Sequence, residues 1–221
     1  KKMKKLQPVR GTKDLIKGEA DIYRNIDLGF EITALDYGFW ELRTPIIEDS
    51  EVFKKTLGTT SDIIKKETYT FKDRSNNQIT LRPEGTAPIV RSFINNYLHE
   101  PLPQKFFYQG PMFRYDRPQR GRLRQFDQLG VEIIGEKSIA AELELISLAL
   151  EFLVIKCEIK FSNFKIHVNS LGDEESRKKY SIELKNFFQD HKKKLTSESI
   201  ERLKKNPLRI LDTKNENEKE L

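Results

Sequence analysis

The stretch from Phe106 to Gly135 constrains the fold of this chain more than any other. It reads FFYQGPMFRYDRPQRGRLRQFDQLGVEIIG, in which two segments with apolar positions flank a polar turn. Side chains of a strand alternate between its two faces with a period of two. The stretch therefore predicts a long antiparallel hairpin over residues 105–134.

The return strand of this hairpin has two faces of different character. One face carries Arg124, Phe126, Gln128, Gly130 and Glu132, and the other carries Gln125, Asp127, Leu129, Val131 and Ile133. The apolar half of the second face predicts packing against helices. On the first face, Gln128 and Glu132 need polar partners wherever they are buried. Water on a half-exposed strand or a bound polar ligand would supply those partners.

The turn between the two strands is rich in arginine. Within eleven residues it holds Arg114, Arg117, Arg120, Arg122 and Arg124, flanked by Phe113 and Phe126. Guanidinium groups bind phosphate with two donors at once, and an aromatic ring beside them can stack on a base. A hairpin holds such groups on rigid elements, so the pattern predicts a nucleoside triphosphate site.

Four elements are predicted before the hairpin. Apolar residues at helical spacing predict a helix over 19–36 that Gly38 ends. Residues 39–47, FWELRTPII, predict a strand that Pro45 interrupts, at a sheet edge or an interface. Alternation on both sides of DRSNN predicts a hairpin over 68–82. Thr86 is predicted to cap the next helix, with Pro88 in its first turn.

The elements after the hairpin divide the chain. A helix capped by Ser138 and a strand over 164–168 are predicted to complete the core. Residues 173–205 predict lysine-rich helices with few apolar groups, and the final DTKNENEKEL has almost nothing to bury. We therefore expect an α+β core over residues 1–169 and the start of a helical appendage over residues 170–221.

Composition restricts the class of protein only weakly. The formal net charge of +6 at pH 7 suits a polyanionic partner without requiring one. One cysteine, Cys157, excludes an intramolecular disulfide and favours a reducing compartment. No apolar run approaches the ~18 residues of a membrane span, and no Cys or His pair has metal-ligand spacing. We therefore expect a cytoplasmic protein without a membrane partner or a protein-bound metal.

Glu84 and Gly85 form a second candidate site, at a strand-to-helix junction. The Glu84 carboxylate either stabilises the helix N-terminus or accepts a ligand ammonium. Gly85 has no side chain, so backbone there can approach a ligand closely. Spacing alone leaves both interpretations of Glu84 open.

At these residues the sequence resembles the bacterial histidyl-tRNA synthetases, a family of class II aminoacyl-tRNA synthetases. The matching segments are RGTKDL at 10–15, TLRPEGT at 80–86, GPMFRYDRPQRGRLRQFDQLGVE at 110–132, VNSLGD at 168–173 and NPLRILDTK at 206–214. Pro45 is similar to the family's motif 1, which builds a dimer interface. Residues 113–132 resemble its motif 2.

The resemblance implies a fold and an activity. The implied fold is a class II synthetase-type antiparallel sheet flanked by helices, followed by the start of a helical insertion. The implied reaction is activation of L-histidine by ATP, with Mg²⁺ on the ATP phosphates, and transfer of histidine from histidyl-adenylate to its tRNA. Such chemistry needs charge neutralisation and alignment more than a protein nucleophile. The implied assembly is a homodimer.

The resemblance also implies roles for individual residues. Arg114 would be catalytic, holding the α-phosphate. The implied ATP site comprises Arg114, Asp116, Arg122 and Phe126. The implied histidine site comprises Glu84, Gly85, Thr86, Gln128 and Glu132. Glu132 would accept the imidazole N–H, because a carboxylate suits a donor with partial positive charge. The implied contacts to the tRNA acceptor end are Arg117, Gln119 and Arg124.

Three features depart from the family's pattern, and one of them, Asp127 where many relatives have histidine, points to the opposite face of the strand and is expected to affect catalysis little. Asp116 stands where the family commonly has glutamate, which shortens the reach of the carboxylate by one methylene. No glycine follows Gly172, so the family's glycine-rich motif 3, with its ATP-binding arginine, is absent from these 221 residues. We therefore expect the chain to be an N-terminal portion of a longer enzyme, with little or no aminoacylation activity alone.

Two other functions remain open at this point. A synthetase-like regulatory subunit would bind histidine and control histidine biosynthesis without charging tRNA. A module detached from catalysis would bind RNA or dimerise. Regulatory relatives tend to lose the ATP arginines and the tRNA loop, whereas Arg114, Arg122 and the RPQRGR run are intact here. Their presence favours the ligase.

Overall fold

The computed structural model describes residues 5–57 (side chains to residue 55), 67–119, 121–169, 172–211, 213 and 215–221. The chain divides into two compact units, Lys1–Phe164 and Lys165–Leu221. The helices are α1 (Gly18–Asp36), α2 (Ser50–Leu57), α3 (Thr86–Asn96), α4 (Ile139–Glu151), α5 (Glu174–Asp190), α6 (Ser197–Lys205) and α7 (Glu216–Lys219). The strands are β1 (Trp40–Glu41), β2 (Ile47–Asp49), β3 (Tyr69–Lys72), β4 (Gln78–Leu81), β5 (Gln104–Phe113) and β6 (Gln125–Ile134). None of these helices is both long enough and apolar enough to cross a bilayer.

Helix α1 confirms the prediction from apolar spacing. One face buries Gly29, Phe30, Thr33 and Ala34. Gly38 follows the helix with φ 76°, and its N–H donates to the carbonyl of Leu35 at 2.9 Å. Glycine suits this position because it adopts a left-handed conformation without steric cost.

Residues 39–47 form parts of two strands rather than one interrupted strand. β1 lies at the edge of one sheet and β2 at the edge of the other. Pro45, between them, has no N–H to give to a ladder, and the Thr44 carbonyl accepts a hydrogen bond from Arg82 Nη1 at 3.0 Å. The prediction of a single strand is therefore wrong, because the chain changes sheets at the proline.

Each hairpin predicted from alternation is present. β5 and β6 pair antiparallel, from Gln104 opposite Ile134 to Phe113 opposite Gln125, and β1 pairs parallel to β5. In the second sheet, β4 pairs antiparallel with both β2 and β3. The Asp73 carboxylate accepts backbone N–H groups in the turn between β3 and β4, as residues of its type commonly do.

Apolar clusters cover both faces of the β5–β6 hairpin. The cluster on the α3 side contains Leu42, Ile89, Phe93, Phe106, Tyr108 and Met112. The cluster on the α1 and α4 side contains Phe30, Ala34, Phe39, Phe107 and Leu148, with Leu129, Val131 and Ile133 packed against it. This confirms that the apolar half of the second β6 face packs on helices, and it leaves Gln128 and Glu132 on the α3 side.

The predictions for residues 164–168 and for the final ten residues are wrong. Residues 164–169 are irregular instead of a strand, with Ile166 47% and Val168 79% exposed. Alternation alone does not make a strand where no sheet buries the apolar face. In the final ten residues, Glu218 is only 4% exposed, so this segment buries a carboxylate that the sequence analysis overlooked.

The second unit is helical, as predicted for residues 173–205. Its apolar cluster consists of Phe188, Leu195, Leu203 and Ile210. Glu218 accepts hydrogen bonds from the Thr196 N–H (2.5 Å), Ser199 Oγ (2.8 Å) and Thr213 Oγ1 (2.5 Å). These bonds tie the C-terminal turn α7 to the beginning of α6.

Candidate active site

The hairpin register places Gln128 and Glu132, two residues of the predicted histidine site, on one face. The opposite pairs on this face are Phe106–Glu132, Tyr108–Gly130, Gly110–Gln128 and Met112–Phe126. Phe106, Tyr108 and Met112 pack in the cluster with α3. The polar groups of β6 therefore share the side of the sheet on which helix α3 begins.

Helix α3 starts differently from the prediction. Gly85 is its N-cap residue, and Thr86 is its first helical residue. The Glu84 carboxylate accepts the backbone N–H groups of Thr86 (2.7 Å) and Ala87 (2.9 Å). The prediction that Thr86 caps the helix is therefore wrong, because an acidic side chain takes the free donors at the positive end of the helix.

The Thr86 hydroxyl, free from capping, donates to Glu132 Oε1 at 2.6 Å. Burial raises the pKa of Glu132 above its ordinary value; the Thr86 bond opposes this, and the charge of Glu84 adds to it. A carboxylate whose pKa is raised by burial and by a neighbouring negative charge is stabilised in its charged form by a cation beside it. An ammonium group or a protonated imidazole has that charge and donates hydrogen bonds.

Gln128 lies on the same face, opposite Gly110. Its Oε1 atom is buried without a hydrogen-bond partner among the described residues, as are Gln109 Oε1 and Arg91 Nε. Leaving such an atom unpaired costs about 1–3 kcal/mol. An unpaired atom alone does not identify a binding site. On this face, however, Gln128 Oε1 is free to accept a hydrogen bond from a ligand.

Tyr108 belongs to this site although the sequence analysis did not select it. A Cβ added to Gly85 would lie 2.0 Å from Tyr108 Cε2, and one added to Gly130 would lie 2.3 Å from Tyr108 Cζ. Burial raises the pKa of Tyr108 to about 12, although a bond with Thr86 opposes the shift, so the hydroxyl stays a donor. The group that approaches Gly85 closely is thus the Tyr108 ring. The sequence pattern that could have indicated Tyr108 is its position opposite Gly130 in the predicted hairpin.

Arg82 is a second residue that the sequence analysis missed. Only 6% of it is exposed, and it donates from Nε to the Pro111 carbonyl (3.0 Å) and from Nη1 to the Thr44 carbonyl (3.0 Å). Burial lowers its pKa, while Glu48 opposes that shift. Its bond to the Pro111 carbonyl holds the segment before α3 against β5.

Arg114 and Phe126, both predicted for ATP, lie together. Arg114 Nε donates to the Pro83 carbonyl at 2.8 Å, and its guanidinium carbon lies 5.1 Å from the centroid of the Phe126 ring. The bond to Pro83 connects Arg114 to the segment that carries Glu84. A guanidinium can bind a phosphate, and an aromatic ring beside it can stack on a base.

Asp116 and Arg122 pair with each other across the arginine loop, residues 114–124. Arg122 Nη1 lies 3.0 Å from Asp116 Oδ2, and the Arg122 side chain is 55% exposed. Gln119 and Arg122 also exchange backbone hydrogen bonds of 3.2 and 2.9 Å, while Arg117 is exposed. Arg120 lies outside the described residues. These groups form the outer end of the loop.

Arg124, predicted to meet tRNA, lies at the base of the same loop. Its guanidinium carbon is 4.0 Å from the centroid of the Tyr115 ring, and its Nε donates to the Asp116 carbonyl at 3.2 Å. A contact with tRNA stays a prediction for Arg124. Its side-chain contacts within the loop are with Tyr115 and Asp116, the two residues that follow Arg114.

A family model described as "Histidyl-tRNA synthetase" matches residues 11–214 of the chain. A histidine–tRNA ligase of Rhodospirillum rubrum is 46% identical over 217 residues, covering 98% of this chain and 52% of the relative. A chloroplastic histidine–tRNA ligase of Gracilaria tenuistipitata is 46% identical over 211 residues, covering 95% and 49%. The chain thus spans about half the length of these curated relatives.

Solved structures agree with the sequence relatives. The chain resembles apo histidyl-tRNA synthetase of S. aureus with a TM-score of 0.75 and 32% identity, covering 98% of this chain and 52% of that one. A Bacillus halodurans protein described as an ATP phosphoribosyltransferase regulatory subunit/histidyl-tRNA synthetase has a TM-score of 0.65 and 21% identity, covering 99% and 63%. The first likeness confirms the predicted class II fold, and the second is a likeness of fold alone.

Proposed function

The chain belongs to the histidyl-tRNA synthetase family, and on that premise we propose that it binds L-histidine and ATP for the ligation of histidine to its tRNA. The reaction proceeds through histidyl-adenylate. Its first step is attack of the histidine carboxylate on the α-phosphorus of ATP, with pyrophosphate leaving. The tRNA ribose hydroxyl then attacks the activated carbonyl, forming the histidyl ester, and AMP leaves with the electron pair of the broken bond.

One observation carries this proposal: the hydrogen bond from Thr86 to Glu132 at 2.6 Å. It joins the helix start, where Glu84 is held, to the β6 face that bears Gln128. The cluster has two acidic groups and an unpaired amide oxygen, which suits the α-ammonium and the imidazole of histidine. Glu132 accepts the imidazole N–H, while Glu84, Thr86 and Gln128 receive the α-ammonium group. Gly85 leaves the space that the Tyr108 ring fills.

The arginine loop supplies the charge for ATP. Arg114 neutralises the α-phosphate as its charge grows in the transition state, which is how enzymes accelerate phosphoryl transfer. The Arg122 side chain is 55% exposed in its pair with Asp116, so a phosphate can reach its guanidinium group. Phe126 stacks on adenine, Asp116 orients the nucleotide, and Mg²⁺ enters on the ATP phosphates. The arrangement of the loop and the family resemblance support these residue roles.

The exposed outer loop suits the tRNA acceptor end. Arg117 and Gln119 offer a cation and an amide to phosphate and sugar, the groups that most protein–nucleic acid contacts use. Arg124 would contribute its charge from the base of the loop. Residues 1–169 carry motifs 1 and 2 of the catalytic core, and residues 170–221 begin the helical insertion.

We further propose a homodimer, supported by helix α1. Beyond its buried face, the helix exposes Leu28 (53%), Ile32 (40%) and Leu35 (53%), and Trp40 of β1 is 71% exposed. A helix that is apolar on more than one side is usually covered by a second partner. A second copy of the chain is that partner, consistent with the motif 1 character of Pro45.

Calorimetry tests the proposed function. L-histidine, ATP with Mg²⁺, and a non-hydrolysable histidyl-adenylate analogue are titrated separately into the chain, with L-glutamine as the control amino acid. We expect the adenylate analogue to bind more tightly than either substrate, because it contacts both groups of residues. Binding of histidine with indifference to ATP and to the nucleotide part of the analogue would instead favour a regulatory subunit.

A further inference from the structure

The segment before helix α1 forms a tight turn against the arginine loop. The Thr12 N–H (2.9 Å) and Thr12 Oγ1 (2.7 Å) both donate to the Val9 carbonyl. Gly11, the second central residue of this turn, has φ 87°. Turns with positive φ at this position require glycine because a side chain would be strained there.

The turn contacts the point where β6 begins. The Gly11 carbonyl accepts the backbone N–H groups of Arg124 (2.7 Å) and Gln125 (3.3 Å). A Cβ added to Gly11 would lie 2.7 Å from Arg124 Cγ. Backbone and side chain of Arg124 therefore both rest on Gly11, with no room for a methyl group between them.

Arg124 in turn closes the base of the loop. Its carbonyl accepts the Arg114 N–H at 2.9 Å, and its Nε donates to the Asp116 carbonyl at 3.2 Å. Its guanidinium lies over the Tyr115 ring at 4.0 Å, an attraction between a cation and a π system. The three residues that leave β5 are thus held by one arginine.

We propose that Gly11 is a positioning residue of the ATP site, acting through Arg124 on Arg114 and Asp116. The inference rests on the proposed function for the assignment of ATP to this loop. The Glu84–Thr86–Glu132 bonds are made at the start of α3 and near the far end of β6. Substitution of Gly11 should therefore weaken the binding of ATP far more than the binding of histidine.

Paired glycine variants test this. Gly11→Ala introduces both strain at positive φ and the collision with Arg124. Gly38→Ala is the matched control, because Gly38 has φ 76° and no atom within 4 Å of an added Cβ. Thr12→Val, which removes only the hydroxyl bond to Val9, is a milder variant should Gly11→Ala fail to fold.

Two readouts apply to each variant of the 221-residue chain. For Gly11→Ala we expect the dissociation constant of ATP with Mg²⁺ to rise about tenfold and that of histidine to change less than about twofold, since small misplacements of catalytic groups are costly. Amide hydrogen exchange at Arg124 and Gln125 should accelerate about tenfold or more in Gly11→Ala and in the same direction in Thr12→Val. Gly38→Ala should change neither.

Specific results would overturn the inference about Gly11 or show instead that the proposed binding function is wrong. Unchanged ATP binding and unchanged exchange at Arg124 in both turn variants would overturn it. If Gly11→Ala unfolds and loses both ligands, Thr12→Val decides, and equal loss of both ligands in a folded Thr12→Val chain would overturn the inference. If the unmodified chain binds neither ligand, the proposed function fails, and exchange at Arg124 and Gln125 still decides whether Gly11 positions the loop.

Discussion

Thr86 and Glu132 are 46 positions apart in the chain, yet the Thr86 hydroxyl donates to Glu132 Oε1 at 2.6 Å. The bond exists because Glu84 takes over the capping of α3 and leaves the hydroxyl available. The glutamate at position 84 thereby leaves the Thr86 hydroxyl available to bond with Glu132. The orientation of the Glu132 carboxylate depends on this division of roles.

Thr86→Val removes that hydroxyl while keeping the shape of the side chain. We expect histidine affinity to fall about tenfold, the size of one hydrogen bond to a charged group. The pKa of Glu132 should rise further, because the Thr86 bond is what opposes the effect of burial. Calorimetry with histidine and a carboxyl-carbon NMR titration of Glu132 measure the two effects.

Thr70→Val is the control for this variant, because Thr70 also bonds through its hydroxyl, to Thr80 at 2.8 Å. It should leave histidine affinity unchanged. Affinity for histidine in Thr86→Val equal to that of the unmodified chain would remove Thr86 from the site.

Gly130→Ala tests the fit of the Tyr108 ring. A Cβ at this position would lie 2.3 Å from Tyr108 Cζ, and overpacking of this kind costs about 1–3 kcal/mol. Gly18→Ala, where an added Cβ meets nothing within 4 Å, should change the free energy of unfolding little. Urea unfolding of both variants measures the difference, and equal stabilities would mean that Tyr108 moves aside freely.

Arg114→Lys keeps the charge but loses the planar guanidinium. The bond from Nε to the Pro83 carbonyl and the position over Phe126 both depend on that plane. We expect ATP affinity to fall about tenfold or more while histidine affinity stays within about twofold. Arg74→Lys, in the exposed turn between β3 and β4, is the control. A lysine variant that binds ATP normally would show that Arg114 acts only as a point charge.

Glu218 makes the second unit sensitive to acid. Burial alone would raise its pKa, but the donors on Thr196, Thr213 and Ser199 outweigh burial and lower the pKa to about 2. A carboxylate with a lowered pKa stabilises the fold above its ordinary pKa of 4.5, and that stability is lost as pH falls from there through about 2. Hydrogen exchange of the α6 amides should therefore accelerate within this pH window.

Glu218→Gln should remove most of that pH dependence and destabilise the second unit by about 1–3 kcal/mol, because it loses the bonds that a charged acceptor strengthens. Glu216→Gln is the control, since the Glu216 side chain is 80% exposed in its pair with Lys219 and such pairs contribute little. Identical acid sensitivity in the two variants would mean that another carboxylate is responsible.

Local pattern was sufficient to predict much of the fold. The period of two in β6 predicted both faces of the hairpin, and helical spacing with Gly38 predicted α1 and its end. These predictions succeed because each pattern repeats over many residues and its buried apolar positions pack against the same neighbouring layer of helices or strands. The expectation for residues 164–168 failed because only three alternating residues supported it and no sheet covers them.

The sequence by itself determined which chemical groups the chain carries and the face of β6 on which Gln128 and Glu132 lie, because side-chain alternation is a property of the backbone. Only the tertiary structure decided which groups meet. That Glu84 caps α3, that Thr86 bonds Glu132 and that Tyr108 fits between two glycines all depend on the distance between a helix start and a strand. Such distances result from packing over the whole unit, and no local pattern encodes them.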